Sequence, residues 1–377
     1  MRKRKGNDLM FKKFLTAIVM LMLFCGHSWA DIVYATHDGS LGSLEIKSSS
    51  DIGEPSIAYR SGISDPYLDA YWNGKDTDIL MIEADKTSSG DRAYLFSPSD
   101  LSVMASSHDL VGIHGMNTAS YSLNGRSLFM GAGSVVYEVS TENFGVVKSY
   151  DCRKVISRDG YETGLETVVV GYDTVNAIAS AGDARRYVRF DGQLKERVTY
   201  FMSADVSADA SCLTIQDNTV FLGHREGISG LNRTNKFVFV LSTDKPVEAF
   251  CNDDDRGFYY ATRSGDVFTV SHSQNTAVSK KFEPVTILSD YPYIKMIRDR
   301  THNTLAVMTA EEIALFDMKT GKFLRTYGTS ELGGRPVGIA AASVYGYNNS
   351  SSSSSGCNLS GAGLILMTML YAVMKRR

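Results

Sequence analysis

Period-2 alternation of Tyr, Phe, Val and Ile recurs from residue 32 to residue 328, interrupted by Gly, Asn, Asp and Ser, and no other feature of the chain limits its fold so tightly. The best-preserved unit is Ile313 to Tyr327. It reads as a strand, an Asp317-x-x-Thr320-Gly321-Lys322 turn and a second strand, with Gly321 supplying tolerance of positive φ. Weaker copies run over residues 44–59, 93–107, 135–150, 187–201, 237–250 and 267–282, which makes seven hairpins in all. Most have an upstream strand pair. Tyr121 to Gly131 turns at Asn124-Gly125, Glu248 to Thr262 turns across Asn252 to Gly257, and Ile294 to Thr309 turns at Asp299 to Asn303. The mature region has no convincing 3.6-residue periodicity, so the chain is expected to be all-β.

Four strands in a unit of roughly 40–50 residues is the period of a propeller blade. The pattern resembles YVTN, WD40-like and quinoprotein-type blades, chiefly through Asp317-x-x-Thr320-Gly321-Lys322, and it lacks a Trp-Asp signature. The resemblance implies a β-propeller, with seven four-stranded blades expected. Two stacked β-sandwiches are the main competing fold. A lone strand at each end bears on the choice: Ile32 to Thr36 has no upstream partner, and Pro336 to Ser343 has no downstream one. Pairing them in one blade would lock the ring and hide two strand edges.

The termini have a different character. Arg2, Lys3, Arg4, Lys5, Lys12 and Lys13 precede a twelve-residue apolar run, Phe14 to Cys25. Ser28-Trp29-Ala30 then sets small residues before Asp31. Residues 1–30 are therefore expected to be a secretory signal cut between Ala30 and Asp31. The domain is expected over 31–346, followed by a Ser-rich linker at 347–356 that buries nothing. Residues 357–377 hold Cys357-Asn358, an uncharged stretch from Leu359 to Met374 and a basic end, Lys375-Arg376-Arg377. Sixteen residues are short for a permanent span, which needs about 20. This order resembles the Synerg-CTERM class of bacterial sorting signals, related in design to the MYXO-CTERM and GlyGly-CTERM signals. The resemblance implies cutting by a rhomboid-type sorting protease near Gly356-Cys357, modification at Cys357 and attachment at the cell surface, with transient membrane contact through the tail. An ordinary tail anchor is the plainer alternative.

Composition narrows the partners. The whole chain carries a net charge of −3; without the +5 of residues 1–30 and the +3 of the tail, the mature span carries −11. Such a surface repels phosphate backbones, so nucleic acid is not an expected partner. Cys152, Cys212 and Cys251 match no zinc spacing. Export permits one disulfide among them, and free buried thiols are equally compatible.

No catalytic motif stands out. His37, His108, His114, His224, His272 and His302 show no metal-marking spacing. There is no Gly-x-Ser-x-Gly, no His-Glu-x-x-His and no phosphate loop; Gly131-Ala132-Gly133-Ser134 reads as a strand connector. Asp253-Asp254-Asp255 reads as a solvated turn rather than a calcium site, and Asp244-Lys245-Pro246 likewise as a turn. No cofactor is expected, since a quinone would want Trp-bearing blade ends that are absent. Tyr67, Tyr71, Trp72, Tyr291 and Tyr293 lie near turns and could line a recognition face, although packing between blades accounts for most aromatics. The leading expectation is a non-catalytic surface module that presents loops to an envelope protein or a glycan. A hydrolase or lyase sited in the central tunnel is the alternative, for which a convergent Asp, His and Arg set at one mouth would speak. A structural envelope component is the third.

Overall fold

The computed structural model describes residues 31–341, apart from positions 49, 61–63, 73–76, 84–89, 99, 104–107, 123–124, 172–173, 192–195, 202–209, 217–218, 235, 254–256, 274–275 and 283–293. The secretory signal, the linker, Gly356, Cys357 and the tail lie outside the described residues, as do Tyr291 and Tyr293.

The chain is a seven-bladed β-propeller. Seven four-stranded antiparallel sheets follow one another, and each innermost strand lies against the innermost strand of the next blade around the whole ring. Blade 1 closes the ring. Its innermost strand is the C-terminal one, Pro336–Ala341, paired antiparallel with the N-terminal Ile32–Thr36 in the register Val33 to Ala340 and Tyr34 to Ile339. Ser40–Leu44 and Ser56–Arg60 complete it. Blades 2 to 7 begin with the innermost strands Tyr67–Trp72, Met116–Tyr121, Thr163–Val170, Cys212–Gln216, Val247–Asp253 and Lys295–Asp299.

The strand pattern explains the ring. Side chains alternate between the two faces of a strand, and each blade face must be covered. In blade 1, Ile32 and Tyr34 pack toward blade 7 while Val33 and Ala35 pack toward blade 2. In blade 7, Leu305 and Val307 face blade 6, and Ala306 and Met308 face blade 1. Among the described residues there are seven apolar clusters, one at each blade interface. The second strand of a blade is thus buried on both sides, as in Gly257–Thr262 and Thr304–Met308. Each large side chain sealed this way contributes about 1.5–3 kcal/mol. Tyr34 lies over Gly42, its cross-strand partner; a β-carbon there would strike the ring.

Hydrogen bonds replace backbone pairing between some innermost strands. Asn117 Nδ2 donates to Leu165 O at 2.6 Å, while the Val168 and Val170 amides donate to Thr118 Oγ1 at 3.1 Å and Ser120 Oγ at 3.0 Å. Blade 3 is thereby tied to blade 4 without a continuous sheet.

Three of the expected hairpins are phased differently. Phe237–Ser242 is the outermost strand of blade 5, and Val247–Asp253 opens blade 6. The Asp244-Lys245-Pro246 turn therefore joins two blades, and the hairpin of blade 5 pairs Gly227–Leu231 with Phe237–Ser242. The return strand of blade 2 is His108–Val111 rather than residues up to 107. In blade 1, the hairpin carries at its tip an extra two-stranded ladder, Ile46–Ser48 with Asp51–Ile52. The turn from Asp317 is as read: Asp317 Oδ1 accepts from the Thr320 amide at 2.7 Å, and Gly321 has φ +72°. Cys152, Cys212 and Cys251 are free thiols.

Candidate functional site

The antiparallel order sends two kinds of connection to one face of the ring: the turn between the second and third strands of a blade, and the passage into the next blade. Backbone bonds tie them together there, as from Thr243 N to Glu226 O at 3.1 Å and from Arg263 N to Pro246 O at 2.8 Å. On this face the ring opens into a cavity of about 1440 Å³. The innermost strands of blades 2 to 7 wall it, and the loops of blades 4 to 6 form its rim.

Its chemistry is polar and charged. Glu166 and Arg185 of blade 4 pair at 3.3 Å, and Glu248 and Arg263 of blade 6 pair at 2.7 Å. Between them stand Arg225 and Lys245, whose side chains make no ion pair among the described residues. Both are exposed, as are the adjacent Glu226 and Asp244. Across the cavity, Tyr67 Oη donates to Asp69 Oδ2 at 2.8 Å, and Lys295 Nζ lies 5.1 Å from the Tyr67 ring centroid. Lys295 Nζ also donates to Leu68 O at 2.6 Å. Phe239 and Phe250 add apolar surface. Alternating carboxylates, cations and hydroxyls beside aromatic rings suit a ligand rich in hydroxyl groups, since each ligand hydroxyl both donates and accepts. Cys212 also lines the cavity, and burial pushes its thiol up to about 12. That rise disfavours the thiolate, the reactive form of a cysteine.

A second constellation lies on the same face, above blade 1. His37 Nδ1 is 2.6 Å from Asp65 Oδ1, and an Arg335 guanidinium nitrogen is 3.6 Å from that oxygen and 3.4 Å from His37 Nδ1. The three loops are joined through their backbones, His37 N to Arg335 O and Asp65 N to His37 O. Asp65 has φ +49°, an uncommon value for a residue with a side chain. All three side chains are about half exposed. An Asp, His and Arg set thus converges on this face, above blade 1 and apart from the residues that line the cavity; the sequence leaves it unseen because its members are spread from residue 37 to residue 335.

The other sequence candidates separate. Tyr67 reaches the cavity, whereas Tyr71 is buried, stacked on Phe144 with centroids 5.6 Å apart and bonded to Thr141 O. The side chains of Trp72 and Asp253, and residues Asp254 and Asp255 of the acidic run, lie outside the described residues. His224 is buried, with Nε2 3.0 Å from Ser229 Oγ. His108 stacks on Phe144, with centroids 4.8 Å apart. Asp31 lies on the opposite face, beside Asp299 and His302.

No protein-family model matches the chain, and no curated protein matches it. Solved structures share its architecture. A periplasmic gluconolactonase of Pseudomonas aeruginosa, PpgL, is 14% identical with a TM-score of 0.58, covering 82% of this chain and 97% of its own. A putative 6-phosphogluconolactonase of Bacteroides uniformis is 11% identical with a TM-score of 0.59, covering 82% and 98%. The β-propeller domain of Cps50 (Swd1) from Myceliophteria thermophila is 12% identical with a TM-score of 0.52, covering 70% and 86%. At these identities the likeness is one of fold.

Proposed function

We propose that this chain is an exported, surface-anchored propeller that binds a glycan at the mouth of its central cavity without chemically altering it. The observation that carries the reading is the cavity itself: about 1440 Å³, open on one face, with ion pairs, hydroxyls and aromatic rings contributed by six blades. Arg225 and Lys245 at the rim, Asp69 and Glu248 on the walls, and the Tyr67 ring are the expected contacts. Export rests on the basic start and apolar run of residues 1–30. Anchoring rests on the Ser-rich spacer, Gly356-Cys357 and the apolar tail, with a rhomboid-type sorting protease as the processing partner. An oligosaccharide panel assayed by calorimetry on the full mature protein tests the binding. One or more glycans should bind, and Arg225→Ala together with Asp69→Asn should weaken that binding at least tenfold, about 1.4 kcal/mol. A panel with no binder, or a binder indifferent to both substitutions, refutes it.

A second reading is a hydrolase, favoured by the His37–Asp65–Arg335 set and by the two solved neighbours named as lactonases. Asp65 holds one nitrogen of the His37 ring, leaving the other to accept a proton from water. Turnover of an aldonolactone that disappears in His37→Ala would replace the binding reading with this one.

A further inference from the structure

The cavity is not confined to the centre of the ring. Much of its lining comes from innermost strands, but Phe239 and Ser242 belong to Phe237–Ser242, the outermost strand of blade 5. Neighbouring strands lie about 4.7–4.9 Å apart, so three steps carry the lining about 14 Å outward from the innermost strand Cys212–Gln216. At the other end stands Tyr67, on the innermost strand of blade 2. In a ring of seven, blades 2 and 5 are three steps apart, the widest separation there is. The open space is therefore a trough that crosses the mouth and continues over one blade. Its volume of about 1440 Å³ also exceeds that of a small-molecule site, about 300–1,000 Å³.

Phe239 is built into the outer end of this trough. It is 55% exposed, whereas Phe237, two residues earlier, packs edge-on against Tyr187 of blade 4 with centroids 5.3 Å apart. Just past Phe239 the strand carries a bulge. Phe239 lies opposite Ser229 and Leu241 opposite Ile228, with Val240 as the extra residue. Bulges re-aim the side chains beside them. The ring centroid of buried His224 is 5.9 Å from that of Phe239. His224 Nδ1 accepts from the Glu226 amide at 3.3 Å, and its Nε2 is 3.0 Å from Ser229 Oγ. One imidazole thus supports both the turn that carries Arg225 and the cross-strand partner of Phe239.

We infer that the ligand of this cavity is an extended oligosaccharide, with one sugar ring stacked on Phe239 over blade 5 and another against Tyr67 across the mouth. The inference rests on the glycan reading of the cavity, and adds to it the ligand's length and the residue that measures it. A sugar ring has an apolar face and a girdle of hydroxyls. Tyr67 and Phe239 meet such faces at the two ends, and Arg225, Ser242 and Thr243 between them supply donors and acceptors. A disaccharide reaches only one of the two rings, so only longer chains gain from Phe239.

Calorimetry on the full mature protein tests this with malto-, cello-, chito- and galacturono-oligosaccharides graded from one to about six units. In the series that binds, affinity should rise at least about tenfold between the disaccharide and the longest member. Phe239→Ala should weaken the longest member at least about fivefold more than the disaccharide. Phe239→Tyr keeps the ring and should keep the rise. Val238 lies on the same strand, 45% exposed and outside the cavity lining, so Val238→Ala should leave both affinities unchanged. Affinity independent of length, equal weakening of short and long chains by Phe239→Ala, or the same loss in Val238→Ala overturns this inference and leaves the glycan reading standing. Binding by none of these sugars refutes the glycan reading and this inference with it.

Discussion

The closing seam and the cavity mouth are built from the same residue types and use them in opposite ways. At the seam, charged and polar side chains join parts of the chain far apart in sequence. Arg325 reaches Glu54 at 2.7 Å, Tyr327 Oη donates to Gly53 O at 2.7 Å, Lys295 crosses to Leu68 O of blade 2, and His302 faces Asp31. At the mouth, Arg185–Glu166 and Arg263–Glu248 each join strands within one blade, and Arg225 and Lys245 have no ion-pair partner among the described residues. Contacts that bridge blades, above all the partly buried ones at Lys295 and Tyr327, help hold the ring shut. Charges paired within a blade, or left in solvent, can turn to a ligand without loosening it. Exposed pairs add little to stability in any case, about 0–1 kcal/mol.

Substitutions can break this division, and the largest effect belongs to the seam. A β-carbon at Gly338 would stand 2.7 Å from Leu68 Cβ, where the closing strand meets blade 2. Gly338→Val should cost about 3 kcal/mol in urea unfolding, because neither backbone can yield without separating the two blades. A cost under about 1 kcal/mol would mean that this contact does not hold the seam. Lys295→Met keeps the side-chain bulk and removes the donor to Leu68 O, so a loss of about 1–2 kcal/mol is expected from the same assay.

Asp31→Asn should act in the opposite direction, because burial pushes the Asp31 carboxyl up to about 6. In chain that still carries residues before Asp31, it should raise stability by about 1 kcal/mol above pH 6 and by nothing measurable at pH 4, where the aspartate is already protonated. Thermal melts across pH check the sign; stabilisation at pH 4 would contradict it. Arg225→Ala marks the other pole. It should change stability by less than about 0.5 kcal/mol while weakening the proposed glycan at least tenfold. A large stability loss there would erase the distinction between seam and mouth.

The ring was legible in the chain because a propeller repeats one local pattern. Asp317 to Lys322 shows its turn chemistry directly, and the unpaired strands at Ile32 and Pro336 announce closure without reference to any distant residue. Blade phase at Phe237 to Phe250 was not legible. A short polar turn between blades looks like a turn within one, because antiparallel strands flank both. The mouth and the seam were legible only as scattered charges. Lys295 and Leu68, or His37 and Arg335, meet only when the ring closes, and no spacing encodes that meeting.

Hydrogen exchange on the full mature protein tests ring closure most directly. The amides of Ile32–Thr36 should exchange as slowly as those of Gly257–Thr262 and Thr304–Met308, in the same cooperative opening as Val337 to Ala341, while the rim amides of Asp244 and Lys245 exchange quickly until the proposed glycan is added. Terminal strands that exchange fast and independently of each other would show that the ring is not locked where the chain's ends meet.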